Sequence, residues 1–182
     1  MPPRVQPKRE CSTCTAITRN GNQCRNTTCK SKFCWIHLKY QKGLRIKPSG
    51  SGYGDGLFTA DTDAGAIPGN TRIGIYSGER LPIARLNELY PDPDNPPMYT
   101  VCPTGRSKPD HICVDARKTN SNAVRYANTS RGVEGASDNA KIVYYHGPRG
   151  EPETVSLKTK GRPIARNTEI FATYGNAYRI IQ

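Results

Sequence analysis

Apolar residues along this chain come in short bursts separated by glycine, proline and polar residues, and no stretch keeps a helical period long enough to predict a long helix. Leu57-Phe58, followed by Thr71-Arg-Ile-Gly-Ile-Tyr76, reads as strand, turn, strand. Met98-Tyr-Thr-Val101 and Ile112-Cys-Val-Asp115 predict two further short strands. Leu81 to Leu89 predicts one short helix, and Pro91-Asp-Pro-Asp-Asn-Pro-Pro97 behind it is rigid turn material. Glycines at 50, 52, 54 and 56 make a flexible turn ahead of the first strand, although a lone Gly-x-Gly says little about a ligand. No run of about 18 apolar residues exists, so no membrane-spanning helix is expected.

Composition agrees with this pattern. The 182 residues suit one ordinary domain with a small appendage, and 35% hydrophobic content with 17 Gly and 15 Pro suits a loop-rich, mainly β chain. Charge then divides the chain. Residues 1 to 48 hold eleven Lys/Arg against the single acid Glu10, whereas the rest is nearly neutral within a total of +12. A basic leader of this kind suits phosphate-rich partners, DNA or nucleosomes among them, because neutralised phosphates release counterions. The opening Met-Pro-Pro-Arg-Val-Gln-Pro-Lys-Arg-Glu lacks the apolar core of a secretory signal, so an intracellular, reducing compartment is the default expectation. That default argues against disulfides.

The leader also carries metal-ligating residues. Cys11, Cys14, Cys24, Cys29 and Cys34 precede His37 in the pattern C-x2-C-x9-C-x4-C-x4-C-x2-H, and tetrahedral zinc takes thiolate and imidazole ligands from such close pairs. Six candidates are too many for one ion. One set is the two close pairs, Cys11, Cys14, Cys34 and His37. The other follows from a resemblance to short Cys/His zinc-binding segments of large DNA viruses and phages, which selects Cys14, Cys24, Cys34 and His37 and leaves Cys11 and Cys29 as alternates. Gly21-Asn22 supplies a turn before Cys24, and Phe33 and Trp35 are apolar cover for the ion. In a module this small, metal binding supplies most of the folding energy.

Four segments then occur in a telling order: Gly52-Tyr-Gly54-Asp-Gly56-Leu-Phe58, Ile73-Gly-Ile-Tyr76-Ser-Gly78-Glu79, Asn122-Ala-Val-Arg-Tyr-Ala-Asn128-Thr-Ser130 and Glu169-Ile-Phe-Ala-Thr-Tyr174-Gly175. They resemble the motifs of SET-domain protein lysine methyltransferases, and the compact form resembles the minimal SET proteins of large DNA viruses. The resemblance spans roughly residues 46 to 178. It implies a mainly β SET-domain fold of several small sheets with a C-terminal pseudoknot, preceded by the small zinc-binding module. The expected organisation is a basic leader at 1–10, the Cys/His module at 11–45 and the SET catalytic domain at 46–182.

The same resemblance implies the site. Backbone at Gly54, Asp55 and Gly56 lies against S-adenosylmethionine, with the Asp55 carboxylate or backbone near the ligand's cationic groups. Asn128 holds the cofactor's amino group, Arg125 and Tyr126 buttress the pocket, and Thr129 stands where the family has a histidine whose backbone meets the adenine. Tyr174 is the implied catalytic residue and Tyr99 a candidate for the lysine channel. Arg131 replaces a cysteine of the family's post-domain zinc site, so something else must wall that channel: Tyr178, Ile180 and Ile181, or a second subunit in a homodimer. Ala172, two residues before Tyr174, leaves the number of methyl groups open. Family habit implies a histone tail as substrate and the nucleus as location. The rival reading is a non-catalytic nucleic-acid-binding or chromatin-docking protein on a degenerate SET scaffold, with Thr129 and Arg131 as its support.

Overall fold

A computed structural model describes residues 11–52, 54–92, 99–102, 112–117, 122–146 and 152–173. The chain starts with a two-stranded ribbon, β1 (Ser12–Thr13) against β2 (Thr27–Thr28), followed by α1 (Trp35–Lys42). Gly43 ends this helix in the left-handed region, φ 64°, and its N–H closes onto Lys39 O. A side chain there would lie 1.9 Å from Ala64 O, so both conformation and space call for glycine.

Behind the helix, β3 (Leu44–Pro48) pairs antiparallel with β4 (Asp55–Thr59), and the glycine turn between them lets the chain double back. The two strands expected at Leu57-Phe58 and Thr71–Tyr76 both form, but not in one sheet. β5 (Arg72–Ile75) instead joins an outer sheet ordered β11-β9-β10-β5, built on β9 (Ala140–His146) and β10 (Pro152–Thr159), with β11 (Ala172–Thr173) parallel to β9. The β9–β10 hairpin was not singled out in the sequence. Its signal was present in the β-branched and aromatic Ile142-Val-Tyr-Tyr145 and in Gly147-Pro-Arg-Gly150 between the two strands. A third sheet orders β6 (Glu79–Pro82), β8 (Ile112–Asp115) and β7 (Thr100–Val101). The expected helix at 81–89 begins later, as α2 (Ile83–Leu89), because Leu81 and Pro82 are paired with Cys113 and Ile112 in β6.

One apolar core links these sheets, and Leu57, Val124, Tyr126, Leu157 and Ile170 are buried in it. Leu38 of α1 and Leu44 of β3 belong to the same core. The boundary expected at 45/46 falls inside β3, whose residues Leu44 to Pro48 oppose Thr59 to Asp55 in unbroken register. Among the described residues, three ion pairs also cross from segment 11–45 to the rest: Lys30 to Asp55 and Lys39 to Asp61, both at 2.9 Å, and Arg45 to Asp61 at 3.2 Å.

The expectation against disulfides is corrected. In β1–β2, Ser12 opposes Thr28 and Thr13 opposes Thr27, a register that puts Cys11 directly across from Cys29. Their Cα atoms are 4.1 Å apart and the sulfurs are bonded. The pairs Thr100–Asp115 and Val101–Val114 in β7–β8 likewise place Cys102 opposite Cys113, with Cα atoms 4.3 Å apart and a second disulfide. Cysteines that face each other on adjacent antiparallel strands are brought close enough for their sulfurs to bond.

Candidate functional site

The Cys/His cluster forms from distant pieces. Cys14 follows β1, Cys24 precedes β2, Cys34 caps α1 and His37 lies in its first turn. Their ligand atoms all lie within 4.8 Å of one another, with the three thiols buried. His37 Nδ1 stands 3.6 Å from Cys14 Sγ and 3.3 Å from Cys34 Sγ. Three N–H groups point at the sulfurs: Cys34 N at Cys14 (3.1 Å), Asn26 N at Cys24 (3.5 Å) and the Asn26 amide at Cys34 (3.6 Å). Such donors favour thiolate.

Burial pushes the Cys34 thiol up, but hydrogen bonds from the His37 backbone, the Asn26 amide and the His37 ring outweigh it and bring it down to about 6. At Cys24 the Asn26 N–H pulls the other way from burial and the nearby Cys14 and Cys34 sulfurs, and the latter hold that thiol above its ordinary value. Three cysteines and one histidine that converge, with N–H groups aimed at the sulfurs, are a donor set suited to tetrahedral zinc. Cys11 and Cys29 are taken up by their disulfide, so the competing set built on Cys11 is not assembled.

The second constellation forms where the C-terminal segment meets two earlier ones. Phe58 bridges Glu169 antiparallel, and Ile170 N donates to Leu57 O at 2.8 Å. On its other side this segment runs parallel to Asn128, which bridges Phe171 and accepts Ala172 N at 2.7 Å. The Asn139 carboxamide donates to Glu169 O and accepts Phe171 N (2.9 and 3.1 Å), taking the place of a neighbouring strand. Asp138 accepts Ser130 N (2.9 Å) with one oxygen and the Thr173 hydroxyl (2.8 Å) with the other. The two motifs are thereby tied side by side. This is the meeting that the pseudoknot requires.

Asn128 extends its amide to Asp55 O at 3.2 Å, which joins the glycine turn to this crossing. Its Oδ1 has no hydrogen bond among the described residues, which leaves an acceptor for an ammonium group. Gly54 takes φ 87°, and the Asp55 carboxylate turns away toward Lys30. The Asp55 backbone is therefore the part of this turn that meets Asn128, while Gly54 O accepts Ser49 N within the hairpin. The chemistry of these groups fits an amino-acid-like ligand.

Arg125 and Tyr126 lie in a 3-10 turn, Ala123–Tyr126, and both are buried. The guanidinium donates to Ala116 O at 2.5 Å and to the Tyr126 hydroxyl at 3.0 Å. Tyr99 meets Tyr126 edge to face at 5.7 Å, with Arg125 5.1 Å from the Tyr99 ring centre. Tyr99 is half-buried and takes φ 60°, a costly conformation for an aromatic residue. The Thr129 hydroxyl accepts Arg131 N (3.3 Å) within its own turn, and Arg131 is exposed. Ala172 is fully buried in the core. Tyr174, Gly175, Tyr178, Ile180 and Ile181, like residues 1–10 of the leader, lie outside the described residues. The bridging by Asn139 and Asp138 was not legible in the sequence, where a polar Asp-Asn pair in a loop gives no sign of the two segments it will join.

No protein-family model matches the sequence, and no curated protein matches it. Solved structures do. The methyltransferase domain of human PR domain-containing protein 2 superposes with a TM-score of 0.51 at 17% identity, covering 77% of this chain and 82% of that one. ATXR5, in complex with a mono-methylated histone H3.1, superposes with a TM-score of 0.52 at 20% identity, covering 75% of this chain and 58% of that one. The chain has the SET-domain fold, mainly β, with a Cys/His cluster at its N-terminal side.

Proposed function

We propose that this chain is a protein lysine methyltransferase that uses S-adenosylmethionine and acts on a histone tail. The observation that carries this reading is the joining of three distant segments: Asn128 bonded to Asp55 O of the glycine turn and bridged to Phe171, one strand before Tyr174. A histone substrate is supported by the histone H3.1 bound in the ATXR5 structure, and such a substrate makes a chromatin location the natural one.

When bound, S-adenosylmethionine supplies a methyl group on a sulfonium. The chain's own residues do the rest. Asn128 Oδ1 and backbone at Gly54, Asp55 and Gly56 hold the ammonium end, while Thr129 contributes backbone. Arg125 and Tyr126 keep the pocket wall rigid, and Tyr99 with Tyr174 line the approach of the lysine. An amine with an ordinary pKa of about 10.4 attacks only when neutral, so the Tyr174 hydroxyl serves to accept a hydrogen bond from the amine N–H, which orients the lone pair and leaves it free. Zinc at Cys14, Cys24, Cys34 and His37 is structural in this reading.

Full-length protein incubated with radiolabelled S-adenosylmethionine and separated histones tests the assignment. Label should enter histone lysine, vanish with Tyr174→Phe, and fall with Asn128→Ala through weaker cofactor binding. Cofactor binding without label in any histone would return the chain to a non-catalytic scaffold.

A second reading concerns the module's outer face. Trp35 and Tyr40 are 72% and 60% exposed, and Arg25, Lys32 and Lys42 are exposed on the same segment. Aromatic rings among cations suit nucleic acid, through stacking and phosphate neutralisation. Gel shifts of wild type against Trp35→Ala at several salt concentrations test it, and unchanged affinity counts against it.

A further inference from the structure

We propose that the N-terminal Cys/His module forms part of the cofactor site, with Lys30 as the residue that positions the glycine turn. This rests on the S-adenosylmethionine reading above and adds a requirement to it. The turn between β3 and β4 contains glycines at 50, 52 and 54, with Gly56 just inside β4, so its ordered shape has a high entropic cost and needs anchors. One anchor comes from the C-terminal segment. Glu169 accepts the Ser49 hydroxyl at 2.5 Å and Gly50 N at 3.4 Å, which holds the entrance of the turn.

The exit is held from the other side of the molecule. Lys30 Nζ lies 2.9 Å from Asp55 Oδ1, and the Asp55 side chain is only 11% exposed. Asp55 is also the residue whose carbonyl accepts Asn128. Fixing its side chain toward Lys30 restricts which way the following peptide, between Asp55 and Gly56, faces, and the carbonyl of that peptide is the one that meets Asn128. With its charge met by Lys30, Asp55 offers the cofactor backbone rather than carboxylate.

Lys30 is not on a loose tail. It sits in a tight turn in which the Thr28 hydroxyl donates to Ser31 O (3.0 Å), the Ser31 hydroxyl donates to Phe33 O (2.7 Å), and Phe33 N donates to Ser31 Oγ (3.1 Å). Thr28 and Ser31 are buried. Cys29, its neighbour, is tied to Cys11, and Cys34 at the far end of the turn belongs to the Cys/His cluster. A lysine delivered by a rigid turn loses little further entropy on pairing, unlike the usual surface ion pair.

Hydrogen exchange and calorimetry on the full chain test this. In Lys30→Ala, amides of residues 49 to 56 should exchange faster than in wild type without cofactor, and S-adenosylmethionine should bind about three- to tenfold more weakly, the range open to a half-buried pair. Lys30→Arg should restore most of both. Lys39→Ala, which breaks a different cross-segment pair, with Asp61, should change neither. Exchange and affinity in Lys30→Ala equal to wild type would overturn the proposal, as would equal losses in Lys39→Ala, which would mean general loosening. Should wild type bind no S-adenosylmethionine, the cofactor reading fails. Faster exchange confined to 49–56 would then still support Lys30 as the anchor of the turn, and unchanged exchange would overturn that as well.

Discussion

Glu169 receives the Ser49 hydroxyl at 2.5 Å across 120 residues of sequence, and the same carboxylate oxygen lies where a side chain on Gly56 would go. A Cβ at Gly56 would stand 2.3 Å from that oxygen and 3.0 Å from Ser49 Cβ. Glycine is needed here for this approach, because Gly56 is already in ordinary extended backbone within β4.

Gly56→Ala should therefore displace a carboxylate that is not free to swing away, and cost about 1–3 kcal/mol of stability, as overpacking does. Glu169→Ala removes the obstacle. In a double-mutant cycle read by urea unfolding, Gly56→Ala should be milder in the Glu169→Ala background than alone. Additive effects would show that the clash is not the cause.

The short motifs proposed to form the site were legible in the sequence, and the structure brings their segments together. Asn128 with Arg125 and Tyr126, and Gly54 with Asp55, each come from one local segment, and the family resemblance ordered them. What was not readable depends on pairings between remote strands. β4 pairs with β3 and not with the next strand, β5, and nothing in Leu57-Phe58 states which edge it will meet. The two disulfides follow from strand register, and register becomes visible only when both strands are seen together. Helix α1 has no strong apolar stripe in sequence. Its first turn carries Cys34 and His37, so a side-chain cluster rather than periodicity sets its position.

Asp138 gives a pH-dependent handle on the crossing of the two motifs. Burial pushes its carboxyl up, but the Ser130 N–H, the Thr173 hydroxyl and the charge of Lys160 outweigh it and hold it below the ordinary 3.8. A carboxyl with a depressed folded-state pKa stabilises the chain at pH above its ordinary value, and loses that contribution as pH falls through the lowered one. Asp138→Asn should cost about 1–2 kcal/mol near pH 7, the charge-assisted part of two hydrogen bonds after solvent screening. The deficit against wild type should shrink below pH 4 in thermal melts. A pH-independent deficit would mean that the geometry alone matters.

Cysteine chemistry should sort seven residues into two groups. Alkylation without reductant, followed by mass spectrometry of the air-purified chain, should find Cys11 joined to Cys29 and Cys102 joined to Cys113. Cys14, Cys24 and Cys34 should resist alkylation until a chelator is added, and elemental analysis should give one zinc per chain. Cys24→Ser should lose the metal, whereas Cys11→Ser should keep it. Metal lost from Cys11→Ser but retained in Cys24→Ser would reinstate the paired-ligand set.

Truncation tests whether the N-terminal module stands apart. A chain begun at residue 46 loses Leu38 and Leu44 from the shared core and removes Leu44 and Arg45 from the partner strand of β4. Each lost leucine costs about 2–5 kcal/mol where the hole cannot close, against a total stability of about 5–15 kcal/mol for an ordinary domain. The Lys30 and Lys39 pairs go too, and β4 loses its partners at Phe58 and Thr59, the end away from the glycine turn. We expect the truncated chain to lack cooperative unfolding and to be cut rapidly by protease, while removal of residues 1–10 alone leaves the melting curve near that of the full chain. A truncated chain that melts cooperatively and still binds S-adenosylmethionine with unchanged affinity would make the module a separate appendage, and would also remove Lys30 from the cofactor site.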